Sequence, residues 1–203
     1  MSGYGADELD DRGDALMHFE AALALARRIG DRARLSYALN ALAGHHVPGN
    51  EAAALPLYEE AAALAREVGD TDAAAVTLQN IGRALIGMDR SDSARRYLLE
   101  SLEAAAEIGA TRTLLYVLDA CVALADQRLE LERSVRFLAA ANAQVERLGI
   151  RRTPGDHRLI DPPTEHARAV MGEAAFAEAM ARARALTLEE IVTEAKAWLA
   201  DQP

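Results

Sequence analysis

The sequence predicts an all-α solenoid of stacked helix pairs, and three observations carry the prediction. The first is a recurring segment. Glu20-Ala21-Ala22-Leu23-Ala24-Leu25-Ala26-Arg27-Arg28-Ile29-Gly30-Asp31 returns as Glu59-Glu60-Ala61-Ala62-Ala63-Leu64-Ala65-Arg66-Glu67-Val68-Gly69-Asp70, again over Glu100 to Ala110, and in degenerate form over Ala139 to Gly149. The second is the spacing of Gly30, Gly69, Gly109 and Gly149, which lie 39, 40 and 40 residues apart. A fixed period of this length marks supersecondary units that bury their apolar faces only by stacking on one another. The third is composition: alanine occurs 45 times in 203 residues, against nine aromatic residues. Alanine has the highest helix propensity and lets helix axes approach closely.

Each element follows from where the apolar phase breaks. The first helix spans about residues 14–29 and ends at Gly30, which can adopt the positive φ of a helix C-terminus, while Asp31 offers a carboxylate to cap the next. Helices are expected over 32–46, 51–68, 71–87, 91–108, 111–127 and 131–148, with Gly69-Asp70 repeating the Gly30-Asp31 arrangement. Pro48-Gly49-Asn50 and Met88-Asp89-Arg90-Ser91 read as the turns inside the pairs. Pro56 falls inside a predicted helix, where a missing N–H can bend the axis. Residues 1–13 read as a ragged segment, so that the chain begins in mid-unit with a second helix. After Gly149 the period breaks. Residues 149–162, with Pro154-Gly155 and Asp161-Pro162-Pro163, read as a loop, followed by helices over 163–184 and 187–200 that cover the end of the array. Thr187 and Glu190 form the N-cap and third-position carboxylate that open the last helix.

Residues 14–148 resemble tetratricopeptide repeats of a longer, forty-residue type. In one unit Leu78 and Ile81 precede the small residue Gly82, Ala94 lies twelve residues beyond, and Leu98 takes the large apolar position. The neighbouring units read Leu39, Leu42 and Ala43, then Ala54 and Tyr58; and Leu118, Cys121 and Val122, then Val135 and Leu138-Ala139. Val122 is larger than that position usually carries. The resemblance implies a right-handed superhelix of antiparallel helix pairs, with the first helix of each pair lining a concave groove.

The tail is similar to the ending of large bacterial LuxR-type and ATPase-linked transcriptional regulators. The residues that carry this are Phe137-Leu138-Ala139-Ala140-Ala141, Leu148-Gly149, Pro162-Pro163, Met171-Gly172-Glu173-Ala174-Ala175-Phe176 and Ala185-Leu186-Thr187-Leu188-Glu189-Glu190-Ile191. The resemblance implies a regulatory setting, with the chain as the C-terminal part or a detached relative of such a regulator.

A net charge of −10 argues against direct nucleic-acid binding, which needs a concentrated positive surface. Arg27-Arg28, Arg95-Arg96 and Arg151-Arg152 are pairs rather than runs. No apolar stretch approaches the length of a membrane span, and the opening residues lack a secretory h-region, so the expected location is the cytoplasm. The single Cys121 has no disulfide partner in the chain and falls on an apolar helix face as a small buried hydrophobe.

Counting from the small residue of each unit, the groove positions are Tyr37, Asn40 and Gly44, then Val76, Gln79 and Arg83, then Tyr116, Asp119 and Ala123. Asn40, Gln79 and Asp119 are expected to form a row suited to hydrogen bonding an extended peptide, with Tyr37 and Tyr116 as aromatic anchors. The alternative is that these positions are merely the solvated side of amphipathic helices. His45 and His46 are adjacent and diverge by about 100° on a helix, so they do not converge on a metal ion as an i, i+4 pair does. No phosphate loop, nucleophile elbow or cysteine pair is present in the sequence. The expectation is therefore a non-catalytic module without cofactor or metal, binding a protein or peptide in its groove. Two rivals are a sensor for a small molecule or signal peptide, and a self-association module forming a homodimer.

Overall fold

The computed structural model describes residues 4–47 and 49–201, with side chains described from Ala15 onward. Ten helices make up the described chain: α1 (Tyr4–Ile29), α2 (Arg32–His46), α3 (Glu51–Glu67), α4 (Thr71–Gly87), α5 (Ser91–Glu107), α6 (Thr111–Gln127), α7 (Leu131–Leu148), α8 (Pro154–Met171), α9 (Glu173–Ala183) and α10 (Leu188–Ala200). From α1 to α9 each helix packs on the next in the chain, α10 packs instead on α5, α6 and α7, and α2, α4, α6 and α8 also touch one another in series to form an inner layer. The architecture is a tetratricopeptide-like all-α solenoid.

The repeated glycines set the joints between pairs. Gly30, Gly69, Gly109 and Gly149 have φ of 71°, 73°, 69° and 63°. This left-handed residue lets the next N–H reach back five residues, as from Asp31 to the Ala26 carbonyl (3.2 Å) and from Asp70 to that of Ala65 (2.9 Å). The same two aspartates then cap the following helices, accepting from the N–H of Arg34 and of Ala73, each at 2.9 Å. Inside two of the pairs, Asp89 (φ 55°) and Leu129 (φ 60°) take the left-handed conformation without being glycine.

Alanine sets the helix spacing. Ala43, Ala54, Ala61, Ala75, Ala94 and Ala105 are all fully buried, so adjoining helices meet nearly backbone to backbone. A Cβ placed on Gly82 would lie 2.4 Å from Leu98 Cδ2, and this explains why the smallest residue faces the largest at that crossing. Serine hydroxyls brace neighbouring helices: Ser36 donates to the Ala61 carbonyl (2.8 Å), Ser101 to Ala75 (2.7 Å) and Ser134 to Val122 (2.9 Å). Val122 itself is fully buried, so the larger residue is accommodated.

Between Asp31 and Leu148 the expected helices agree with α2 to α7 within a residue. Pro48 lies outside the described residues. Pro56 does not interrupt α3; it is exposed, and its missing N–H leaves only the carbonyl of Ala52, on another exposed residue, without a helical donor.

Both ends differ from the sequence reading. Helix α1 starts at Tyr4, within the segment read as ragged, while residues 1–3 lie outside the described part. Most of the expected loop over 149–162 is helix α8. Thr153 and Asp156 form a reciprocal capping box, and Pro154 occupies the first turn, where its missing N–H costs nothing. Pro162 and Pro163 remain inside α8, because Ile160, Pro163 and Ala167 are buried while α8 packs against α6 and α7. Burial outweighs two lost backbone bonds here.

Three helices therefore follow the repeats, where two were expected. Helices α8 and α9 stack on α6 and α7, and α10 returns across α5 and α7. Trp198 anchors that return: its ring lies 5.3 Å from Phe137, and its N–H donates to Glu130 (2.9 Å). Buried Arg95 donates to the carbonyls of Trp198 (2.7 Å), Leu199 (3.3 Å) and Asp201, satisfying the C-terminus of α10.

Candidate functional site

Where α2, α4, α6 and the first half of α8 face one another, with Glu51 and Tyr58 reaching in from α3, they line a cavity of about 660 Å³ that is open to solvent. That volume is in the range of ligand pockets. Its polar groups are graded along the helix axes. At one end Asn80 donates from Nδ2 to Asn40 Oδ1 (3.0 Å), joining α4 to α2. Beside them Arg83 donates to Asp156 Oδ1 and to the Gly155 carbonyl, both at 3.3 Å. Arg158 lines the same end. At the other end the last turns of α2, α4 and α6 arrive together with Glu51, Asp89 and Asp126. Helix C-termini carry partial negative charge, so these carboxylates add to a field of the same sign.

Tyr58 lies between the ends. The residue is 3 % exposed, and its hydroxyl reaches the cavity wall beside Gly44 with no hydrogen-bond partner among the described residues. Burial pushes the phenol up to about 12, against the opposing influence of Arg83, so it remains a neutral donor and acceptor.

The structure disperses the residues expected in the groove. Asn40 and Arg83 line the cavity. Gln79 is buried, its Nε2 without a partner, and does not form an open row with Asn40. Asp119 is also buried, held by Arg152 through Nη2–Oδ1 (2.7 Å) and Nε–Oδ2 (2.8 Å). Burial pushes the Asp119 carboxyl up, and the two bonds from Arg152 pull it down. Tyr37 is 54 % exposed and donates to Asp70 (2.8 Å), away from the cavity; that bond raises its phenol above the ordinary value. Tyr116 is half-buried on α6 and does not line the cavity.

The glycine period assigns equivalent positions, but neighbouring inner helices touch with a different offset. Asn40 is equivalent to Gln79 yet bonds Asn80, forty residues on. By the repeat pattern Tyr58 holds the large apolar packing position of its unit. Its ring fills that position, and only the hydroxyl emerges in the cavity. The α8 wall comes from the segment that its prolines mark as loop. A pair of asparagines at the contact spacing was the one signal available in the sequence.

Cys121 is fully buried, and burial pushes its thiol well above the ordinary range. His45 and His46 have ring centroids 6.2 Å apart at 68°, and His45 also meets the edge of Phe19. No described helix is long and apolar enough to cross a membrane.

No curated protein sequence matches the chain. Residues 49–107 match the family model of the tetratricopeptide repeat, whose members generally act as scaffolds for protein–protein interaction. The match runs from the start of α3 through α5, and the same pairwise stacking continues on both sides of it, so the architecture is tetratricopeptide-like beyond the matched residues as well.

Proposed function

We propose that the protein is a non-catalytic interaction module that takes a short segment of a protein or peptide partner in the cavity between α2, α4, α6 and α8. The observation that carries this reading is the Tyr58 hydroxyl, which reaches the cavity from the core and has no partner of its own among the described residues. The Asn40–Asn80 pair and Arg83 supply further hydrogen-bonding groups suited to a peptide backbone. Because α8 walls one side and Asp119 is engaged by Arg152, the ligand is a short insertion rather than a strand along the whole groove. A bacterial regulatory setting is part of the proposal, supported by the resemblance of the tail sequence, and a cytoplasmic location is proposed with it from the hydropathy of the sequence.

The test is selection of a displayed random-peptide library on the protein, followed by binding to Gly44→Phe. Gly44 is exposed on α2, and a Cβ there would sit 3.5 Å from the Tyr58 hydroxyl, so an aromatic side chain fills the cavity without entering the core. Selected peptides are expected to lose binding to Gly44→Phe. Peptides that bind both forms equally would overturn the reading.

Self-association is the second reading, and α1 favours it. Ala22 is exposed and Phe19 only half-buried, whereas their repeat equivalents Ala61 and Tyr58 are 0 % and 3 % exposed. Met17, Leu25 and Ile29 are also exposed on this helix. Light scattering across a concentration series tests it: a mass that rises with concentration and falls back in Met17→Glu/Ala22→Glu would place the contact on α1.

A further inference from the structure

We infer that the cavity holds its partner by a basic side chain, a lysine or arginine inserted between Glu51, Asp89 and Asp126. This rests on the proposal that the cavity takes a peptide segment, and it names the residue that anchors that segment. Glu51 accepts from the Gly49 N–H, Asp89 accepts from Gln127, and Asp126 accepts from His166 Nδ1 (2.7 Å), an ion pair whenever that imidazole is protonated. Among the described residues none of the three carboxylates lies within ion-pair distance of an arginine or of Lys196. The cavity's own cations are at the opposite end: Arg83 and Arg158 converge on Gly155, a turn or more along α4 from Gly87 and Asp89. The Glu51 side chain rests against Gly87, and Gln127 ties Asp89 to the end of α6, so the carboxylates gather around the converging helix C-termini.

A second, independent feature points to a ligand in the same space: Tyr58, a residue more than nine-tenths buried, presents its hydroxyl at the cavity wall without a partner among the described residues. An oxygen there accepts from an ammonium or guanidinium, or donates to the carbonyl of the segment that carries it. A carboxylate-bearing side chain would meet three like charges at this end. The polarity of the cavity thus orients the segment, with its basic head toward Glu51 and its carbonyls toward Asn40, Asn80 and Arg83.

The experiment titrates the full chain with acetyl-Ala-Arg-Ala-amide, acetyl-Ala-Gln-Ala-amide and acetyl-Ala-Glu-Ala-amide, following amide chemical shifts by NMR. The arginine peptide is expected to saturate and to shift residues lining the cavity, with affinity about tenfold above that of the glutamine peptide. Glu51→Gln/Asp89→Asn is expected to remove that preference. Tyr58→Phe should weaken binding severalfold without lowering the melting temperature, because the hydroxyl it removes bonds no described protein group. Equal affinity for the three peptides, or a preference that survives the double substitution, would overturn the inference. Library peptides that lack basic residues yet are blocked by Gly44→Phe would leave the peptide-binding reading standing and the basic anchor refuted. If Gly44→Phe blocks no peptide, both fail.

Discussion

Arg152 closes on Asp119 with two nearly parallel bonds of 2.7 and 2.8 Å, tying the connection between α7 and α8 to the middle of α6. The side chains are 9 % and 3 % exposed, and Arg152 also donates to Asn142 Oδ1 (2.6 Å). The pair fixes where α8 enters the inner layer, and so fixes one wall of the cavity. Breaking a buried pair strands the surviving charge, whereas replacing both members with apolar groups removes the burden of desolvation. Asp119→Ala is therefore expected to lose about 3–5 kcal/mol in urea unfolding. Asp119→Ala/Arg152→Met should recover most of that loss. A double variant as unstable as the single one would show that the pair contributes through something other than charge.

The same pair shows what was legible in the sequence and what was not. Gly30, Gly69, Gly109 and Gly149 state the joints outright, because a left-handed residue after a helix favours glycine whatever surrounds it. Gly82, Ala94 and Leu98 state the crossing by size, because the smallest residue stands where the largest of the facing helix must fit. Asp119 falls at a groove position by period, but Arg152, thirty-three residues later, decides its fate. No repeat pattern encodes that partner, since Arg152 lies beyond the last periodic glycine. Pro162 and Pro163 misdirect in the same way: their local preference is for a break, and the burial that overrides it depends on α6 and α7.

Gly82 meets Leu98 at a distance no Cβ can share, and Leu98 is fully buried with little room to move. Gly82→Ala gains helix propensity of about 1 kcal/mol, but overpacking of 1–3 kcal/mol opposes it, for an expected net loss of about 1 kcal/mol. In a Leu98→Ala background the clash disappears and the propensity remains. Gly82→Ala should then stabilise, and the sign reversal across the double-mutant cycle would identify the contact. A loss of the same size in both backgrounds would count against it.

Leu129 holds a left-handed conformation (φ 60°) at the turn between α6 and α7, with 76 % of its surface exposed. A leucine there accepts backbone strain with little burial in return. Leu129→Gly is expected to stabilise by about 0.5–1 kcal/mol, since relief of strain exceeds the added entropy of the unfolded chain. Differential scanning calorimetry would show this as a higher melting temperature. Asp89→Gly at the corresponding turn should gain less, because aspartate tolerates the left-handed region better. Equal gains at both turns would mean that strain is not the cause.

Glu130 joins α10 to the repeats by accepting from Trp198, Arg128 and Arg133. Partial burial pushes its carboxyl up, but the bonds from Arg128, Arg133 and Trp198 together outweigh that and leave it below the ordinary 4.5. A folded-state pKa below the unfolded one stabilises at pH above 4.5, and that stabilisation disappears as pH falls through the folded value. Glu130→Gln keeps an acceptor for the indole but loses the charge, so it should cost about 1 kcal/mol near neutral pH. The difference from the parent chain should shrink as the medium is acidified below 4.5 and vanish once both forms are neutral. Trp198 is the only tryptophan, so its fluorescence reports the docking of α10 directly. A difference that persists undiminished in acid would assign the effect to packing around the side chain rather than to its charge.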